Sequence, residues 1–298
     1  MIEYHADDYG LFKTQSRHII ETYHNGALNG ISIMPNSPYL DECMADIADI
    51  REKLFVTVHL NFVEGKPLSG QKAGRLTDGD GNFNISFGKI LLVGCVPVLR
   101  RFYFKQIRRE IDAQIEKCRP YMNGGKFRLD GHVHYHMLPL VFDAMIDVIK
   151  EKKLEVSYIR FPREEIDVYR RAAGKVKDIK PINVVKALVL NTLSSRNERK
   201  HGAFLAELGI EKKLFMGVML SGHMFHENVS ACLPFAADIQ ADRGLHDMEL
   251  LFHPGDVTQE EEVKELTSPD DLSFLTKEAD NRRREAEALR KFGGGLRR

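Results

Sequence analysis

The chain has 298 residues, with 43 Lys and Arg against 43 Asp and Glu. That balance leaves no basic footprint for phosphates, which excludes nucleic acid as the main partner. A composition of 43% hydrophobic and 29% charged residues is that of an ordinary globular protein with a large core.

Residues 2–6 read as a first strand, and 14–25 as a helix stopped by Gly26. A second strand at 31–34 ends at Pro35, and 38–53 has helical period. Strand-like 54–62 follows, then a loop-rich stretch at 64–103. A helix at 104–119 is closed by Pro120 and Gly124-Gly125. Residues 127–136 read as a strand, 140–153 as a helix and 156–161 as a strand ended by Pro162. After a polar, largely helical segment at 164–213, strands are expected at 215–220 and 248–252. The rhythm is that of a parallel sheet with helices outside it. No repeat at a fixed period interrupts it. Residues 1–298 are expected to form one catalytic domain, with insertion-like segments at 64–103 and 164–213. The end, 268–298, is a charged helix and tail that Gly293-Gly294-Gly295 should fray, with Arg282-Arg283-Arg284 on a solvated face.

The longest apolar run, 90–99, contains Gly94 and Pro97 and is too short to span a bilayer, so no membrane partner is expected. It suits a core segment or an interface equally. The N-terminus has Glu3, Asp7 and Asp8 and no apolar run, unlike a secretory signal. Cys43, Cys95, Cys118 and Cys232 form no C-x-x-C pair and read as reduced thiols of a cytoplasmic protein.

Chemistry in parallel α/β proteins sits at the C-terminal ends of strands. Asp7-Asp8-Tyr9-Gly10 follows the first strand; such acids can hold a metal and accept a proton, or simply cap the next helix. His59 stands near the end of another strand. In Asp130-Gly131-His132-Val133-His134-Tyr135-His136, a straight strand would put three imidazoles on one face beside Asp130. Arg160 ends a further strand and could anchor a substrate or a carboxylate. An apolar strand delivers His253 into a Pro-Gly turn, a place for a general acid. An Asp with two His is a sensible ligand set for a divalent catalytic ion, and it does not choose among zinc, magnesium, manganese and cobalt. Asp78-Gly79-Asp80-Gly81-Asn82 reads as a turn, because Phe83 and Lys89 stand where a calcium loop needs Gly and Glu.

Ala6-Asp7-Asp8-Tyr9-Gly10 resembles the N-A-D-D-F-G start of the YdjC-like (ChbG-like) carbohydrate deacetylases. The H-L-N segment at His59, E-G-x-P-L-S at 64–69, D-G-H-x-H-x-H at 130–136, the strand with Arg160 and H-P-G at His253 follow in family order. The resemblance implies a distorted, TIM-barrel-like (β/α) barrel, one divalent metal ion, and hydrolysis of an acetamido group on an amino sugar or chitooligosaccharide. It implies Asp8, His59 and His132 as ligands, with His134 the alternative to His132. It implies Asp7 as base and His253 as acid, and it suggests a homodimer. Asp130 is expected to orient a histidine, and Arg160 to contact substrate or Asp7. His5 and Tyr9 depart from the family pattern at Asn and Phe, and 83–104 carries no family feature. Magnesium and zinc are the ions first expected. The alternatives are a metal-dependent phosphoesterase and a sugar-binding protein without catalysis.

Overall fold

The computed structural model describes residues 1–255, 264–277 and 279–294. Seven strands form one sheet: β1 (Ile2–Tyr9), β2 (Gly30–Ile33), β3 (Phe55–Leu60), β4 (Phe127–Gly131), β5 (Val156–Ile159), β6 (Lys213–Met216) and β7 (Asp247–Phe252). Their order is β5-β4-β3-β2-β1-β7-β6, with every neighbouring pair parallel. The sheet curls, because side chains of distant strands meet across its inside. Glu3 of β1 pairs with Arg128 of β4 at 2.6 Å, and Arg160, just past β5, donates to Glu249 of β7 at 2.7 Å. One parallel bridge, Glu164 to Phe215, spans the two edges. The expected distorted α/β barrel is the observed architecture, and β1 is buried along nearly its whole length, as a strand covered on both faces must be.

Helices α1 (Lys13–His24), α2 (Leu40–Asp46), α3 (Phe87–Cys95), α4 (Pro97–Cys118) and α5 (Pro139–Lys152) accompany the first strands. They are followed by α6 (Ile166–Arg171), α7 (Pro181–Glu207), α8 (His226–Asp242), α9 (Pro269–Lys277) and α10 (Ala279–Gly294). The apolar run at 90–99 is split between α3 and α4. Ser86 caps α3 by accepting from the Lys89 N–H at 3.2 Å, and Pro97 opens α4, where its missing donor costs nothing. Ile90 and Val93 are buried, whereas Leu92 and Val98 are exposed.

Four expectations need correction. The strand at 127–136 stops at Gly131; Val133 (φ 47°) and His134 (φ 58°) are left-handed, so the alternation that would align three histidines is lost. The helical segment at 38–53 shrinks to α2 and a separate turn at Arg51–Lys53. Helix α8 lies in a stretch where none was foreseen. Gly293 does not fray the end of the chain: it packs on Gly26, where an added Cβ would stand 2.3 Å from a backbone carbon. Beside it, the Ala27 N–H donates to the Leu289 carbonyl at 2.9 Å, and Arg282 is buried rather than solvated. Gly295 lies outside the described residues.

Candidate metal and catalytic site

The ends of β1, β3, β4, β5 and β7 bring the expected residues together. Asp8 has φ 67°, a left-handed turn that bends its carboxylate back over the sheet. One oxygen of it stands 3.0 Å from His132 Nδ1 and 3.5 Å from His59 Nε2. One ligand atom from each of Asp8, His59 and His132 lies within 4.8 Å of the others. All three residues are buried. Of the three histidines in the third motif, the turn after β4 sends only His132 to this cluster. His134 packs edge-on against Phe215, and His136 Nε2 is 2.9 Å from the Arg160 carbonyl. Burial lowers both, His136 to about 4, so both stay neutral.

A second layer holds the first. His59 Nδ1 faces Asp130 Oδ1 at 2.7 Å, which turns Nε2 toward Asp8. Ser32 donates to Asp130 Oδ2 at 2.5 Å. Arg160 reaches Asp130 at 2.7 Å, Asp7 at 2.9 Å and Glu249 at 2.6 Å. Asp7 thus has Oδ2 held by a guanidinium, while Oδ1 is buried and accepts no hydrogen bond among the described residues. Asp7 Oδ2 is 3.8 Å from His59 Nε2. Burial alone would lower the His59 imidazole, but Asp130 and Asp7 outweigh it and raise it to about 9. Burial would likewise raise Asp8, yet His132 and His59 hold it well below the usual carboxylate range.

The wider interior fits a divalent cation. Five buried carboxyl groups, Glu3, Asp7, Asp8, Asp130 and Glu249, share the inside of the curl with three buried fixed cations, Arg128, Arg160 and Lys213. A 2+ ion at Asp8, His59 and His132, with both imidazoles neutral, would balance the remaining two negative charges.

His253 follows β7, and its backbone N–H donates to Glu285 of α10 at 2.6 Å. Glu285 also accepts from the Met224 N–H at 3.3 Å, and Arg282 packs against Gly255. Burial lowers the His253 imidazole. Glu285 and Arg282 were missed in the sequence, where the basic run around them resembles a solvated helix. So was Glu249, which sits inside an apolar strand as Met-Glu-Leu-Leu-Phe and whose lone acid was the available signal. Of the two family departures, His5 bridges Glu3 and Ser32 at 2.7 Å each, and Tyr9 donates to the Cys43 carbonyl at 2.6 Å.

At the same end of the sheet, a cavity of about 80 Å³ is lined by Phe12, Asn36, Tyr39, Asn61, Glu64 and neighbours.

The fold and the site together define a distorted α/β barrel with a candidate metal centre at its strand ends. The chain belongs to the YdjC-like protein family, whose model matches residues 2–291. It is 32% identical over 163 residues to a carbohydrate deacetylase of Thermoanaerobacter pseudethanolicus, covering 54% of this chain and 61% of that one. It is 27% identical over 161 residues to a chitooligosaccharide deacetylase of Yersinia pestis, covering 54% and 59%. The matched region thus spans about three-fifths of these curated relatives. A solved structure from Enterococcus faecalis V583, provisionally named a cellobiose-phosphate cleavage protein, superposes with a TM-score of 0.62. It covers 97% of this chain and 90% of its own at 14% identity, a likeness of fold.

Proposed function

We propose that this chain is a metal-dependent hydrolase that removes the acetyl group from an N-acetylated amino sugar or chitooligosaccharide. The observation that carries the reading is Asp7: Oδ2 is fixed by Arg160 and stands 3.8 Å from His59 Nε2, while Oδ1 is buried and accepts no hydrogen bond among the described residues. That is the arrangement of a base waiting for a water. Asp8, His59 and His132 would hold a divalent ion, which would supply an acidified water and a Lewis acid for the carbonyl oxygen. The two imidazoles favour zinc over magnesium. Asp7 Oδ1 takes the proton of the attacking water, and Arg160 keeps Asp7 oriented. The proton that Asp7 removes from water passes through His253, anchored by Glu285, to the leaving amine, without which the amide nitrogen departs poorly. Acetate and a free amino sugar result. The carbohydrate and chitooligosaccharide deacetylases among the relatives support this substrate class. Residues 1–298 act as one catalytic unit in this reading, working in the cytoplasm.

The test is acetate release from N-acetylglucosamine oligomers by chelated chain and by chain reloaded with single divalent metals. Release restored by one metal and lost in His59→Ala is the expected result. Metal bound stoichiometrically with no acetate released, but phosphate freed from phosphate esters, would overturn it in favour of a phosphoesterase. Saccharide binding with neither product would leave a binding protein.

A further inference from the structure

Apolar side chains stand exposed in two places at one end of the sheet. At the corner between α3 and α4, Leu92 is 71% exposed, Val98 68% and Phe102 49%. On the first half of α7, Ile182, Val185 and Leu188 recur every third residue and are 53–56% exposed. Both segments rise at the end of the sheet that carries the candidate site. Tyr135, in the turn after β4, donates to the Ile85 carbonyl and meets Phe87 edge-on, which seats α3 beside that turn. Asn183 donates to the Ser221 carbonyl in the loop after β6, which seats the start of α7. Asp143, near the start of α5, lies between the two helices, accepting from Arg100 of α4 at 2.7 Å and from Arg196, further along α7, at 3.1 Å. Val133, the residue after His132, is exposed on the same rim.

Single exposed apolar residues need no explanation, but clustered ones mark a contact surface. Charge selects the partner. Residues 81–109 hold six Lys and Arg and no acid, and 179–197 hold three and no acid, in a chain balanced at 43 each; Arg100, Arg108 and Arg196 among them pair with acids of α5, while Lys89, Arg101, Lys105, Arg109 and Lys186 remain to face outward. A second copy on a two-fold axis would set this basic face against itself. An anionic lipid leaflet satisfies both features: apolar side chains enter the acyl boundary, while Lys and Arg stay with the phosphates. Among the described residues no helix is long and apolar enough to cross a membrane, but a surface contact needs none.

We propose that the α3–α4 corner and the first half of α7 form a docking surface for an anionic lipid membrane. Docking holds the mouth of the site toward the leaflet, so the amino sugars within reach are those borne on it; this last clause rests on the deacetylase reading.

The chain has no tryptophan, so Leu92→Trp is a single reporter of that surface, with Glu52→Trp at the opposite end as control. Phosphatidylglycerol vesicles should blue-shift the first and not the second, phosphatidylcholine vesicles should do neither, and salt should reverse the shift. The full chain should float with phosphatidylglycerol vesicles, and Leu92→Asp with Val98→Asp should cut the floating fraction about tenfold. Acetate release from soluble oligomers should stay unchanged in that variant. Acetate release without flotation or blue shift overturns the docking surface and leaves the deacetylase standing. Flotation without acetate release does the reverse. No vesicle binding, with a concentration-dependent dimer that the same substitutions abolish, assigns the face to a second copy and also overturns the proposal. Should the aspartate variant fail to fold, the Leu92→Trp emission decides alone.

Discussion

Asp130→Asn tests the layer behind the ligands. Asp130 accepts from His59 and from Ser32 and pairs with Arg160, all within 2.7 Å. Asparagine keeps the shape but offers one acceptor and one donor group. Its NH2 must then face an N–H or a hydroxyl already used as a donor. Loss of a carboxylate behind a metal-binding imidazole typically costs about 10–100-fold in metal affinity, or about 1.4–2.8 kcal/mol. A proton competes with that effect. Without metal, Asp130 and Asp7 hold the His59 imidazole up to about 9, so below that pH the wild-type chain must expel a proton to bind an ion. Asp130→Asn lowers that barrier as well. The deficit should therefore be widest above pH 9 and shrink as the pH falls. Arg160 keeps Asp7 and Glu249, so the stability loss should be about 2 kcal/mol, below the ~3–5 kcal/mol of a wholly broken buried pair. Zinc competition against a chromophoric chelator across pH reads the first quantity, and thermal unfolding of the metal-free chain reads the second. Zinc affinity unchanged above pH 9, in a folded variant, would refute the role given to Asp130.

Asp7→Asn should bind metal within a few-fold of wild type and lose turnover by at least ~100-fold, measured by acetate release at saturating metal; near-normal turnover would remove Asp7 as base. Glu285→Gln should lower kcat while leaving zinc affinity intact, since Glu285 holds the backbone of His253 and no ligand. Gly293→Ala should cost about 1–3 kcal/mol, because its Cβ would collide with the Gly26 backbone; an unchanged melting temperature would contradict the packing. Asp143→Asn should cost on the order of 2 kcal/mol near neutral pH. Burial would raise that carboxyl, but Arg196, Lys200, His201 and Arg100 overcome it and hold it well below the usual range. Its contribution is complete above the unfolded carboxyl pKa of about 4 and is lost as pH falls through the lower folded value. Urea melts of variant and wild type should thus converge in acid; a gap that persists undiminished would be evidence against the charge cluster.

Period and punctuation carried most of the fold. Every expected strand exists within a few residues, because parallel strands are apolar throughout and end at Pro, Gly or a polar motif. The failure at 132–136 has a local cause: His and Val alternate as a strand would, yet the backbone turns left-handed at Val133 and His134, which no side-chain pattern announces. Asp8, His59 and His132 were singled out by the family resemblance, since an acid at a strand end can equally cap a helix, and the structure brings the three together. Glu285 was not, since a buried acid on a highly charged helix looks like its exposed neighbours until the helix is docked. Helix α8 escaped because Pro234 and scattered polar residues break its apolar stripe.

The pairing of β1 with β7 has a consequence for how the chain comes together. β1 lies between β2 and β7, and the amino terminus forms an ion pair with Asp247 at 2.9 Å. The Asp8–His59–His132 cluster is complete once β4 and its following turn have been made, whereas His253 and its brace Glu285 arrive more than 100 residues later. Synthesis from the amino end would therefore present Asp8, His59 and His132 well before His253 and Glu285. Contacts of such long range also slow the final step of folding. On the deacetylase reading, the closing of α10 against α1 is the event that brings the acid's brace into the site.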